Sequence, residues 1–330
     1  MSPAGGGCSA VLLLTACWLG GCGGDGPPKR APPAPKKLAE QRLHSPGELR
    51  LTSAGAEPRV RLRYRSTPGQ FQGFRTRVTV KHVAAGQTSS LTALMDWERR
   101  VTGVSEGWAQ CEVAVRKVRL ARPPSIREDV LRRLRNLTLH FSVDDRGRAR
   151  GAPKGSGLAA PLTDGLLKNL TAPLPADAVG DGATWERYEP VNLSLPKTNL
   201  RLRLGVRTRY TLALVKHAGR ERYALITSGV QLTARSSTPK TGSSASPRVT
   251  GGGRGTGALK LDLRHGTVVS AKSELTLELS LQDKGHTRTL RQTTTSSTQT
   301  IKLRPRPPRP RPAGSGPHPF PVFQRPAAPG

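Results

Sequence analysis

Between about Gly47 and Leu303 the chain is written largely in a two-residue alternation of apolar and polar positions, the period of a β-strand with one buried face. Phe74, Thr76, Val78 and Val80 alternate with Arg75, Arg77, Thr79 and Lys81, and after a turn at Gly86 the run Leu91, Ala93, Met95, Trp97 comes back. That order predicts an antiparallel hairpin. Leu137, Leu139, Phe141 and Val143 run into Asp144-Asp145-Arg146-Gly147, whose Asp and Gly suit a tight reversal and predict a second hairpin. Leu200, Leu202, Leu204 and Val206, then Tyr210, Leu212 and Leu214, precede a turn at His217-Ala218-Gly219 and a return through Tyr223, Leu225 and Thr227. Leu259, Leu261 and Leu263 lead to a turn at Arg264-His265-Gly266, and Leu275, Leu277, Leu279 and Leu281 form the cleanest alternation in the chain.

Helical spacing enters only between these halves. Ser125 and Glu128 make a capping box for a helix from Ser125 to Asn136, with Ile126, Val130, Leu131 and Leu134 on one face. A weaker helix is predicted from Thr163 to Leu170. The expected class is therefore mainly β with a short helical insert at about 125–170 (α+β), built as a curved antiparallel sheet. A strand, a glycine turn and a returning strand recur in both halves, which predicts two similar β modules. Ser236 to Gly257 is dominated by Ser, Thr and Gly and reads as a flexible loop. Its run Gly251-Gly252-Gly253-Arg254-Gly255 lacks the strand-then-helix setting of a phosphate cradle.

The two ends cannot pack a core. Residues 22–46 are rich in Gly, Pro, Ala and Lys and read as a semi-extended tether; residues 304–330 read as a disordered Pro/Arg-rich tail in extended polyproline geometry. Ahead of the tether, residues 1–21 read as a signal peptide: the opening segment Gly7 to Cys22 is an apolar run of signal-peptide length, too short for a membrane span. Leu14-Thr15-Ala16-Cys17 and Leu19-Gly20-Gly21-Cys22 both resemble the lipobox of bacterial lipoproteins, in which small residues precede the cysteine that takes the lipid. Cys17 has the better residue types, whereas Cys22 leaves a longer apolar core before the cut and a polar tether after it. Cys22 is the expected lipidation site, with Cys17 as the alternative. The segment departs from a standard signal in having no Lys or Arg before Val11. The expected address is the cell envelope, with the protein lipid-anchored and facing the periplasm or the exterior.

Charge and cysteine usage narrow the partners. Fifty-three basic residues against 22 acidic give a formal charge of +31, enough to attract anionic polymers or lipid headgroups. The charge is spread along the chain, and no zinc-finger spacing, RNA-recognition motif or basic zipper accompanies it. Nucleic acid is not an expected partner of an exported protein. Arg304, Arg306, Arg309 and Arg311 in the tail are candidate anion contacts. Of the four cysteines only Cys111 lies in the body, alternating with Val113 and Val115 as a buried small hydrophobe would.

Leu174-Pro175, Val179-Gly180-Asp181, Trp185, Tyr210-Thr211-Leu212, and Gly255-Thr256-Gly257 leading into Leu261-Asp262-Leu263 and Gly266 form a layout across Tyr64 to Gln282. It resembles an uncharacterised family of secreted bacterial β-rich lipoproteins, which has no established activity to carry over. More loosely, curved antiparallel strands with a helical insert resemble the periplasmic lipoprotein carriers. That likeness implies a half-barrel enclosing acyl chains, with the helix Ser125 to Asn136 as a lid.

No catalytic grammar stands out. The seven histidines are scattered without metal-ligand spacing, and Asp144-Asp145 and Glu128-Asp129 have structural explanations in a turn and a helix start. No metal or cofactor is expected, and no enzymatic role. Trp97, Trp108 and Trp185 are candidates for core anchors or ligand contacts. The expected function is a non-catalytic cell-envelope lipoprotein acting as a binding or structural module. One alternative is a carrier or sensor of a hydrophobic ligand in a half-barrel; another is capture of anionic envelope polymers or nucleic acid through the basic tail.

Overall fold

The computed structural model describes residues 47–84, 86–121, 135, 137–150, 171–194, 201–218, 221–237, 248–283 and 286–303. The leader, tether, tail and both predicted helices lie outside these residues, apart from Arg135, which is helical. Twelve strands follow one another: β1 (Leu49–Ser53), β2 (Phe71–Ala84), β3 (Gln87–Ser105), β4 (Trp108–Ala121), β5 (Thr138–Asp144), β6 (Ala149–Arg150), β7 (Thr184–Ser194), β8 (Arg201–Ala218), β9 (Glu221–Ser237), β10 (Arg248–Asp262), β11 (Thr267–Asp283) and β12 (His286–Ile301). They form one unclosed antiparallel sheet in the order β1-β7-β8-β9-β10-β11-β12-β2-β3-β4-β5-β6. Both edges are short strands, of five and two residues, and each covers only part of the strand inside it.

The alternations map onto this sheet directly. The turn at Gly86 joins β2 to β3 with Ala84 opposite Gln87, and the two leucine runs around Arg264-His265-Gly266 become β10 and β11. The runs Leu202 to Val206 and Tyr210 to Leu214 are one strand of eighteen residues. The reading of Ser236 to Gly257 as a flexible loop is overturned at both ends: Ser236 and Ser237 finish β9, and residues 248–257 are the first ten of β10. Glycine is a poor strand former in isolation, yet here neighbours on both sides supply the hydrogen bonds. Each glycine from Gly251 to Gly257 is paired in register with β9 and β11.

Those glycines have a geometric task. A Cβ at Gly253 or Gly255 would lie 2.6 Å from the carbonyl oxygen of Thr276 or Glu274 on β11. Only a residue without a side chain allows β10 and β11 so close an approach on that side of the sheet, so curvature is accommodated at this column.

Hydrogen bonds at one end of the sheet show how strongly it is rolled. β1 and β5 stand first and eleventh, ten steps apart, which would be about 48 Å in a flat sheet. Leu174 nevertheless bonds Arg146 in the turn after β5, and Gly180 bonds Ala54 just after β1. The six steps of chain from Leu174 to Gly180 reach at most about 22 Å. The adjacent amides of Tyr64 and Arg65 likewise bond Asp145 after β5 and Gly266 in the β10–β11 turn. Two crossing segments, residues 54–65 and 172–183, therefore tie together the end of the sheet where β1, β3, β5, β8 and β10 finish. They join each other by the bridge between Val60 and Val179.

The core lies inside the roll. Leu62, Tyr64, Leu174 and Val179 from the crossing segments pack with Trp185, Leu212, Ile226 and Leu261. A second cluster gathers Phe74, Trp97, Cys111, Val113, Leu139 and Phe141 on β2–β5, and a third gathers Leu202, Leu204, Leu232 and Leu277 on β8–β11. Fully burying one such leucine stabilises the fold by about 1.5–3 kcal/mol.

Candidate functional site

Register places the inward side chains in rows that cross the sheet. One row runs Leu212, Ile226, Leu259, Ala271, Thr298, Thr76, Met95, each opposite the next, and every member is buried. Toward the other end of the strands, Val206, Leu232, Leu277 and Gln292 are buried as well. Between these rows lie two that are only partly covered: Tyr210, Ser228, Gly257, Ser273, Ser296, Val78, Ala93, and beside it Thr208, Val230, Gly255, Leu275, Thr294.

The cause is side-chain size. Where the flanking rows carry leucine and isoleucine, this belt carries Ser228, Gly257, Ser273 and Ser296. Short side chains put less volume there, and the inward residues of the belt stay partly exposed between layers that are more fully buried. The belt offers methyls from Val78, Ala93, Val230 and Leu275 alongside hydroxyls, with the Ser273 and Ser296 Oγ atoms 2.8 Å apart.

One end of the belt is more polar. The Tyr210 ring stacks on buried Trp185 with centroids 5.7 Å apart. Burial pushes the Tyr210 phenol above its ordinary range, while the nearby Arg187 guanidinium pulls the other way. Arg187, opposite Thr208, holds Glu189 through Nη2 at 2.5 Å, and its Nε is buried without an acceptor among the described residues. The arrangement suits a molecule with an apolar body and a polar end.

The three tryptophans do not meet. Trp97 is fully buried, stacked on Phe74 at 4.4 Å, and its Nε1–H donates to Thr76 Oγ1 at 2.9 Å. Trp185 is fully buried and donates to the Pro173 carbonyl at 2.8 Å; it touches the belt through Tyr210. Trp108 is half-buried at the start of β4, with the Arg150 guanidinium 3.7 Å over its ring. Cys22, Cys17, Arg304, Arg306, Arg309 and Arg311 lie outside the described residues.

Several other titratable groups have local partners. Asp144 accepts from the Arg146 and Arg148 amides and from Arg148 Nε, closing the turn between β5 and β6. Burial works against the Asp262 carboxylate, but hydrogen bonds from the His265 ring and from the His265 and Arg264 amides hold it below its usual range. Cys111 is buried in the cluster of Val113 and Phe141. Among the described residues no three His, Cys, Asp or Glu side chains gather as metal ligands.

The belt was not visible as a site in the sequence. Its serines and glycines sit at strand positions where alternation expects apolar residues, and that interruption is the one signal they leave. Neither a protein-family model nor a curated protein matches the chain.

Proposed function

We propose that this protein is a non-catalytic cell-envelope lipoprotein, acylated at Cys22 or else Cys17, whose rolled sheet binds a small amphipathic ligand against the inward belt. The observation that carries the reading is the partly open double row from Tyr210 to Ala93, set between a buried row and a mostly buried one of a sheet rolled tightly at one end. An unfilled inward belt costs packing energy, and a bound molecule would restore the lost contacts. The apolar residues of the belt would take the body of the ligand; Tyr210, Thr208 and the Arg187–Glu189 pair would take its polar end. Kinship with the secreted β-rich lipoproteins and the likeness to lipoprotein carriers belong to the same proposal. So do the duplicated module, the helical insert as a lid, and anion contacts by the arginine tail.

Two measurements test it. Intact-mass analysis of membrane-extracted protein, with Cys17→Ala and Cys22→Ala alongside, should find a chain that starts at one of these cysteines with added acyl mass. An unprocessed chain rejects the envelope part. For the belt, the full chain should take up a fluorescent fatty acid, and Ser228→Phe, which fills the space, should abolish uptake while the protein stays folded. Equal uptake by both proteins, or none by either, rejects the ligand part.

A further inference from the structure

The outward side of the same sheet carries a feature that a ligand in the belt does not explain. From Arg201 to Ala218, β8 contains no acidic residue; β9 has only Glu221 at its start, and β10 only Asp262 at its end. Over most of three neighbouring strands the outward positions therefore hold only cations and small or neutral polar residues. Arg203, Arg207 and Arg209 stand on β8, Arg235 on β9, and Arg248 and Arg254 on β10, all exposed. Arg203 lies directly opposite Arg235, and Arg207 and Arg254 flank Gln231 in one row. Like charges facing each other across a sheet lower stability. Glu186 on β7 compensates only Arg207 and, at 3.9 Å, Arg209. Among the described residues, Arg203, Arg235 and Arg254 have no ion pair; Glu274 and Glu278 on β11 stand diagonal to Arg254 at the margin of this face, and Glu278 is paired with Arg291.

The ground between the arginines is low. Gly205, Thr233, Gly252, Gly229, Thr250 and Thr256 fill it, so the guanidinium groups stand clear. Across it lies one aromatic ring: a Cβ at Gly205 would come 3.1 Å from the Tyr188 hydroxyl and 2.9 Å from Thr233 Oγ1. Tyr188 thus reaches from β7 over Gly205 toward β9, between Arg203 and Arg207. Arg203 and Arg207 are about 13 Å apart along the strand, and Arg207 and Arg254 about 10 Å apart across two strands.

We propose that this face, centred on Arg203, Arg235, Arg254 and Tyr188, docks an anionic polysaccharide whose carboxylates or phosphates pair with the arginines. Arginine's planar fork suits those groups. The hydroxyls of Thr233, Thr250 and Thr256 and the Gln231 amide match sugar hydroxyls, and the Tyr188 ring offers a flat surface for a sugar. The face is the convex side of the roll, so a planar bilayer would meet it along a narrow strip, whereas a flexible polymer can follow it. Single-stranded nucleic acid would need a stacking platform for successive bases, and the arginine cluster holds a single ring. The residues are distinct from the belt and from the tail, and the inference holds whether or not the belt takes a ligand.

The test titrates the full-length protein with polygalacturonate, with neutral dextran and with an oligothymidylate, at two salt concentrations. The triple variant Arg203→Gln/Arg235→Gln/Arg254→Gln should weaken polygalacturonate binding at least about tenfold and reduce its salt dependence. Arg77→Gln/Lys81→Gln/Arg119→Gln, which removes the same charge from exposed positions on the other half of the sheet, should change binding less than about threefold. Tyr188→Leu should weaken polygalacturonate binding without altering the salt slope. The thermal midpoint of the first triple variant should hold or rise, since an opposed pair is removed. The proposal is overturned if both triple variants lose equally, if neither loses, if dextran binds as well, or if the oligothymidylate binds more tightly through the same three arginines.

Discussion

His82 shows how a single inward side chain ties folding to pH. It stands on β2 opposite Gln292 and Ser89, and burial lowers its pKa below the ordinary 6.5. The unfolded chain therefore takes up the proton first as pH falls, and stability declines from about 6.5 down through the folded value. Its contribution is complete above that window. His82→Gln should flatten the decline, so the stabilities from denaturant unfolding at about pH 7.5 and about pH 5.5 should differ less in the variant than in the parent protein. Identical pH slopes would show that His82 is not the group responsible. His82 shares the parity of Phe74 to Val80, but that it is half-buried depends on neighbours from β3 and β12. The same limit applies to the tryptophans. Trp97 and Trp185 read more readily as core anchors than as ligand contacts, and in the structure the Thr76 hydroxyl and the Pro173 carbonyl accept their indole N–H groups.

At the scale of the element, β10 is where local preference and tertiary pairing disagree most. Ten of its fifteen residues were read as loop because Gly, Ser and Thr predominate there, and pairing on both sides overrides that preference. The inward glycines should be intolerant of substitution. Gly253→Val would drive its side chain against the Thr276 carbonyl and Leu277, and should cost about 2–3 kcal/mol. Gly229→Val on the outward side of β9, where nothing lies within 4 Å, should be neutral or stabilising by up to about 1 kcal/mol. Urea unfolding of the two variants checks the contrast; equal losses would mean that the close approach of β10 to β11 is not what the glycines serve. β12 escaped notice for a related reason. His286–Ile301 is mostly Thr, Ser, Arg and Gln, so hydrophobic periodicity is silent, and β-branched threonine with partners on both sides makes the strand.

For the whole molecule, the decisive contacts are those of the crossing segments. Gly180 packs so closely on the Ala56 carbonyl that any Cβ would overlap it, and its amide holds Ala54. Gly180→Ala should force residues 54–65 and 172–183 apart, lowering stability by at least about 2 kcal/mol. Amide exchange of Val60, Tyr64, Leu174 and Val179 should accelerate in this variant more than that of Leu232 or Leu277 in the third cluster. Uniform acceleration would indicate that the rolled end is not a separable tie. What the sequence by itself determined was the strand-rich class, the inward side of those strands that alternate apolar with polar residues, and the reversals at Gly86, at Asp144 to Gly147 and at Arg264 to Gly266. Those follow from period and turn chemistry within a few residues. The neighbour order that sets β12 beside β2 and β7 beside β1, the roll, the belt and the juxtaposed arginines were decided only by tertiary structure. Alternation says which way a side chain points, whereas what faces it is set by hydrogen bonds between residues as far apart as Val60 and Val179 or Arg65 and Gly266.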